Sequence, residues 1–273
     1  MAVLRFSVPL VRSGIPSRRS TPCLRLRRSL ESHAPRSMFS PRDGIYVGHL
    51  GPIPLYVHWS ALIMVVMVSR WANTPSGFDV PLFLLLLTVL LMGIVLHELG
   101  HGLMAKALGA FGISITLWAF GGLCSSTRDL LPRRELLIIA AGPAVSFLLA
   151  GIGWVGVEYI QQVQPAWALD DYGNPSIVTL FLYFTMVINL WMGLFNILPI
   201  YPLDGGQIVY HLAHLVTGKQ LVARQVGLTL AVFGAVGFLA YHLHTNGNQF
   251  DTGMMYATAL MGYLVYQAFV YLR

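Results

Sequence analysis

The sequence predicts an all-α polytopic membrane protein of about six transmembrane helices, with a small β-sheet or re-entrant hairpin on its cytosolic side. Three observations carry that expectation. Of 273 residues, 56% are hydrophobic and only 10% charged, whereas soluble domains run nearer a quarter charged. Apolar runs of about 20 residues, enough to cross a bilayer, recur along the chain. Between two of them lies GISITLWAFGGLCSS (112–126), whose alternation around Gly121-Gly122 is a hairpin signal. The length allows one membrane domain, 43–273, and little else. Cys23 and Cys124 lie far apart and suggest no disulfide framework.

Residues 1–42 carry nine arginines and one acid, Glu31. Three readings fit this arm: a transit peptide, a disordered basic segment on anionic lipid, or an over-extended start ahead of Met38. The disordered or mis-started arm is the favoured one. No fold surrounds the arginines to present them to a duplex, so no nucleic-acid partner is expected.

In order, 44–60 (GIYVGHLGPIPLYVHWS) reads as two strands around His49–Pro52 running into a first span. The spans are expected at 55–73, 80–108, 135–158, 176–199, 223–243 and 253–272. GGQIVYHLAHLVTG, between the fourth and fifth, is expected to form an amphipathic half-helix. With a cytosolic N-terminus, sixteen of the seventeen Lys and Arg fall on one side and Arg70 alone on the other. By the positive-inside rule, that assigns the topology. The hairpin at 112–126 then dips into the membrane from the cytosolic side, where protein or water must satisfy its backbone.

The second span ends in MGIVLHELGHGLMAKALG (92–109). An ionisable group at that depth is costly and by default functional. His97 and His101 are four apart, so on a helix they share a face and can reach one zinc ion. Glu98 beside them can contact water at the metal and act as general base. Catalytic zinc needs a third protein ligand and an open position. Asp204, in PLDGG after the fourth span, arrives at the same cytosolic depth. It is expected both to cap the half-helix and to ligate the metal. Asn189 and Asn196 share a helix face; Asn196 is a candidate donor to substrate or its oxyanion, with interhelical packing the equal alternative. Packing is the favoured role for Asn189. His58, His211, His214, His242 and His244 read as interfacial or packing residues.

HELGH together with N-x-x-P-x-x-P-L-D-G-G resembles the site-2 protease family of intramembrane zinc metalloproteases. The resemblance covers most of 44–210, including PIPLYVHWS, ITLWAFGGL and AAGPAVSFLLAG in order. It implies one zinc ion per chain held by His97, His101 and Asp204, with Glu98 as catalytic base and Asn196 near the scissile bond. It implies a membrane-spanning protein substrate within the lipid bilayer. Ser146 stands where many relatives carry Asn, which departs from the pattern. The short loop after the third span and the early chain end suggest the branch without PDZ or CBS domains. A bacterial cytoplasmic membrane is the expected location, ahead of an organellar one. A CAAX-type protease would leave Asp204 idle, and a silent scaffold need not keep Glu98. A transporter would be expected to show internal repeats.

Overall fold

The computed structural model describes residues 44–127, 131–170, 173–245 and 252–272. The expected arm at 1–42 therefore lies outside the described residues. The chain opens with strands β1 (Ile45–Leu50) and β2 (Ile53–Val57), followed by a single 3-10 turn (Trp59–Ala61) and helix α1 (Leu62–Trp71). A two-residue hairpin, β3 (Asn73–Thr74) and β4 (Gly77–Phe78), leads to helix α2 (Val80–Ala107). Strands β5 (Phe111–Trp118) and β6 (Gly121–Thr127) come next, then α3 (Pro132–Val163) and α4 (Ile177–Asn196). Helices α5 (Asp204–Thr217), α6 (Gln220–Thr245) and α7 (Thr252–Leu272) complete the fold.

Among the described residues, four helices, α2, α3, α4 and α6, are long and apolar enough to cross a membrane. The apolar pieces Trp59–Trp71 and Thr258–Val270 are shorter. The first expected span, 55–73, is corrected at its start: Leu55, Tyr56 and Val57 belong to β2, and α1 itself has 10 residues. At 1.5 Å per residue α1 extends about 15 Å, half of a ~30 Å hydrocarbon core. β-branched and aromatic residues are apolar enough to lengthen a hydropathy run yet prefer a pleated surface. The amphipathic half-helix expected after PLDGG is present as α5.

The sheet expected from the two non-helical stretches forms, in the order β1-β2-β5-β6. β1 and β2 are antiparallel, as are β5 and β6, while β2 runs parallel to β5 through Leu55–Ile115 and its neighbours. The turn of the second hairpin is Ala119-Phe120, with Trp118 opposite Gly121. Gly121-Gly122, expected at the turn, instead opens β6. Gly121 has a φ of 135°, so it supplies the bend at the start of the strand rather than the loop itself. The His58 backbone N–H donates to Leu117 O, and Ala119 N donates to Ser60 Oγ at 3.1 Å. These bonds tie the entry to α1 to the hairpin tip.

Asp79 starts α2 by accepting from Leu82 N at 2.9 Å, with Pro81 in the first turn. The buried face of this helix runs through Leu86, Val89, Gly93, His97, His101 and Ala105, a stripe at helical spacing. Outside it, Leu84, Met92 and Leu103 are exposed. The ionisable residues of HELGH lie inside while large apolar residues face outward, the arrangement a lipid surround favours. Two apolar clusters flank that stripe. One joins the sheet to α1 and α2 through Ile53, Met64, Ile94, Ile115 and Leu117. The other joins the loop before α5 to α6 and α7 through Ile200, Leu203, Ala231, Met261 and Leu264.

Candidate metal centre

The site is assembled by three helices. α2 contributes HELGH, an uninterrupted helical stretch, so His97 and His101 stack one turn apart with ring centroids 4.9 Å from each other. α5 contributes Asp204, delivered by the PLDGG turn. A Cβ on Gly205 would lie 2.0 Å from Ile197 O, and one on Gly206 would lie 2.2 Å from Tyr201 N. Only glycine lets the start of α5 press against the 197–201 backbone, and that contact aims the carboxylate at α2. Gln207 braces the same turn by donating to Pro202 O at 2.9 Å.

Asp204 does not cap α5, contrary to expectation. Leu203 holds the flanking extended conformation, Asp204 is the first helical residue, and there is no side-chain cap bond. Its Oδ2 lies 3.2 Å from His97 Nε2 and 3.4 Å from His101 Nε2. The two Nε2 atoms are 3.2 Å apart. His97, Glu98, His101 and Asp204 are all buried, and the two histidines and the aspartate form a group that could hold a metal ion.

The fit of a tetrahedral ion can be judged from this triangle. Bonds of about 2.0–2.1 Å in a tetrahedron place neighbouring donor atoms roughly 3.3–3.4 Å apart, close to the three separations observed. The outer ring nitrogens are held away from the triangle. His101 Nδ1 donates to the Ile138 carbonyl at 2.7 Å, and His97 Nδ1 lies 2.8 Å from Ser146 Oγ. With Nδ1 protonated, the neutral ring offers its Nε2 lone pair inward. Two lone pairs and a carboxylate oxygen then converge with no proton between them, which calls for a cation. Asp204 Oδ1 has no hydrogen-bond partner.

Glu98 sits beside this group. Both of its carboxylate oxygens are buried and without a hydrogen-bond partner, an expensive state for a carboxylate unless a cation or water meets it. A Cβ on Gly122 would stand 2.3 Å from Glu98 Cγ, so the start of β6 closes directly over this side chain.

The structure thus brings together His97, Glu98, His101 and Asp204. Asn196 is buried at the end of α4, where its amide donates to Met192 O one turn back at 2.9 Å. Asn189 donates to Thr185 O in the same manner, and its Oδ1 faces the Gly93 backbone of α2. His58 is buried, its Nδ1 2.7 Å from Ser60 Oγ. Three contributors from α3 were not assigned a role from the sequence: Ile138, Gly142 and Ser146. A carbonyl leaves no signal in a sequence. Gly142-Pro143 stands in AAGPAVSFLLAG as a pattern whose contacts only the fold supplies.

Residues 85–240 match the model of peptidase family M50. The chain belongs to that family. The resemblance to site-2 proteases drawn from HELGH and PLDGG is thereby borne out. A Synechocystis protein named as a candidate zinc metalloprotease is 35% identical over 218 residues, covering 72% of this chain and 53% of that protein. A Mycobacterium tuberculosis protein, also named as a candidate zinc metalloprotease, is 32% identical over 180 residues, covering 62% of this chain and 43% of that one. The chain spans about half the length of the curated relatives it matches. Among solved structures, the site-2 protease from Methanocaldococcus jannaschii superposes with a TM-score of 0.54 at 23% identity, covering 84% of this chain and 95% of that one. This M50 member shares that fold.

Proposed function

We propose that this M50 member is an intramembrane zinc metalloendopeptidase that hydrolyses a peptide bond near the cytosolic end of a substrate's transmembrane helix. The observation that carries the reading is the triangle of His97 Nε2, His101 Nε2 and Asp204 Oδ2 at tetrahedral spacing, beside a buried, unpaired Glu98. Membership of the family and the names of its relatives support zinc as the ion. In this reading one zinc is held per chain by His97, His101 and Asp204, with Asn196 near the scissile bond. On the same reading, the stretch from β2 through α1, longer than α1 alone, and helix α7 add two passes to the four long apolar helices, giving six. The basic loops face the cytosol of a bacterial cell, and the whole supports regulated intramembrane proteolysis.

Zinc bound there would supply Lewis acidity, making water acidic enough to lose a proton near neutral pH and polarising a carbonyl. Glu98 accepts that proton on a carboxylate oxygen and returns it to the departing amine. Its burial beneath β6 keeps bulk water from competing for the carboxylate. His97 and His101 are fixed as Nε2 donors by their outer bonds, and Asp204 supplies the single anionic oxygen of the set. A substrate helix hides its scissile carbonyl in i to i−4 hydrogen bonds. It must unwind locally, and adding as a strand to the 112–126 hairpin would return the lost bonds.

Zinc stoichiometry of the purified protein tests the metal assignment. One zinc per wild-type chain and none in Asp204→Ala is the expected result. Full occupancy in Asp204→Ala would remove Asp204 from the ligand set.

A further inference from the structure

One face of α3 packs along both histidines. Ile138, Gly142 and Ser146 are each four residues apart and therefore lie in one row along the helix. Ile138 O accepts from His101 Nδ1 at 2.7 Å, and Ser146 Oγ lies 2.8 Å from His97 Nδ1. Between them, a Cβ on Gly142 would stand 2.1 Å from His101 Nε2 and 2.7 Å from His97 Nε2. The row runs antiparallel to HELGH: position 146 serves 97 and position 138 serves 101. Pro143 lacks the N–H that would bond to the Ile139 carbonyl, loosening the ladder beside the carbonyl that His101 uses. Past its first turn, Ser146 is the one polar residue among the buried residues described in α3, and it is 0% exposed.

We propose that this row is a template that fixes the rotation of both imidazoles, and that Ser146 is the positioning residue of His97. The inference rests on the metal-site reading above and adds a residue to it. His101 has a carbonyl behind it, which can only accept, so its Nδ1 must carry the proton. His97 has a hydroxyl instead. Its Nδ1–H donates to Ser146 Oγ whenever Nε2 presents its lone pair to the triangle. Without an acceptor at 146, the buried Nδ1–H loses its partner, and the tautomer with the proton on Nε2 becomes competitive. That tautomer cannot ligate. Partners of this kind typically change metal affinity by about 10–100-fold.

The test is zinc affinity by chelator competition on the full chain in detergent, with the ligand-field spectrum of the cobalt(II)-substituted protein as a second readout. Ser146→Ala is expected to weaken zinc binding by about 10–100-fold and to alter the cobalt spectrum. The metal-free variant should unfold somewhat below metal-free wild type, because the buried hydrogen bond is lost there too, so the two metal readouts decide. Ser146→Thr, which keeps the hydroxyl, should restore the affinity. If serine is only packing between helices, Ser146→Ala will shift the unfolding temperature and leave both metal readouts unchanged. That result overturns the inference while leaving the metal site standing. A wild-type protein that binds no zinc would overturn both. Should Ser146→Ala fail to fold, Ser146→Cys keeps the volume but accepts hydrogen bonds weakly, and wild-type affinity in that variant is equally fatal.

Discussion

A carboxylate with both oxygens unpartnered in a buried site is unstable unless something arrives to meet it, and Glu98 is such a group. Its neighbours, His97 and His101, point their Nε2 atoms at Asp204, leaving Glu98 free for proton transfer. Glu98→Gln is therefore expected to keep the metal and lose about 10²–10⁴ of the proteolytic rate, measured on a model transmembrane substrate with zinc content assayed alongside. Wild-type cleavage by that variant would remove Glu98 from the chemistry. Gly122 is the matching constraint on the protein side. Gly122→Ala puts a methyl 2.3 Å from Glu98 Cγ, and overpacking of that kind typically costs ~1–3 kcal/mol. Activity should fall while zinc binding persists, because the three atoms nearest a Cβ at Gly122 all belong to Glu98, the proposed base.

Among the elements, α5 shows how a short helix is aimed. It begins at Asp204, is capped after Thr217 by Gly218 with φ 66°, and is held at its start by the Gly205-Gly206 contact with 197–201. Gly205→Ala would place a Cβ 2.0 Å from a backbone carbonyl, which no rotamer change can relieve. The helix must shift, and Asp204 with it. Zinc occupancy in Gly205→Ala is expected to drop toward that of Asp204→Ala, while Ala substitution at exposed Val216, on the far end of the same helix, should leave it unchanged. Wild-type occupancy in Gly205→Ala, equal to that of the Val216 variant, would show that the glycine has no part in aiming Asp204.

Across the whole molecule, the candidate site lies on a seam. Ile94, one turn before His97, belongs to the cluster with the sheet, and Leu203, next to Asp204, belongs to the cluster with α6 and α7. An ion held by both sides would link them, so the folded state should gain stability from bound metal. Saturation at 100 times Kd corresponds to about 2.7 kcal/mol. Chelation is expected to lower the unfolding temperature of wild type and leave that of Asp204→Ala unmoved, as read by thermal unfolding in detergent. The proposed activity makes a second demand at this scale. If a substrate helix must unwind to reach Glu98, Gly, Pro or Asn near the cut should speed cleavage. Product masses should place the cut toward the side of the membrane that holds Lys106 rather than Asp170. Cuts on the other side, or rates indifferent to helix breakers, would sink that proposal.

HELGH, the PLDGG aspartate and the long apolar helices were legible from the sequence because each depends on local spacing. Two histidines one turn apart share a face on any helix, and a run of leucines is apolar whatever packs around it. The half-helix and both strand pairs were legible for the same reason. The first span was not, because Leu55–Val57 satisfy a hydropathy window and a strand equally well, and β2 takes them by pairing parallel with β5 across more than fifty residues of chain. Nor could the sequence place the hairpin turn at Ala119-Phe120, or refuse Asp204 its role as a cap, since both depend on partners supplied by other elements. The contribution of α3 lies wholly at this level. A carbonyl at 138, an absent side chain at 142 and a hydroxyl at 146 acquire a role only when a second helix lays two imidazoles against them. Local periodicity sets which residues can share a face; tertiary packing alone sets what that face meets.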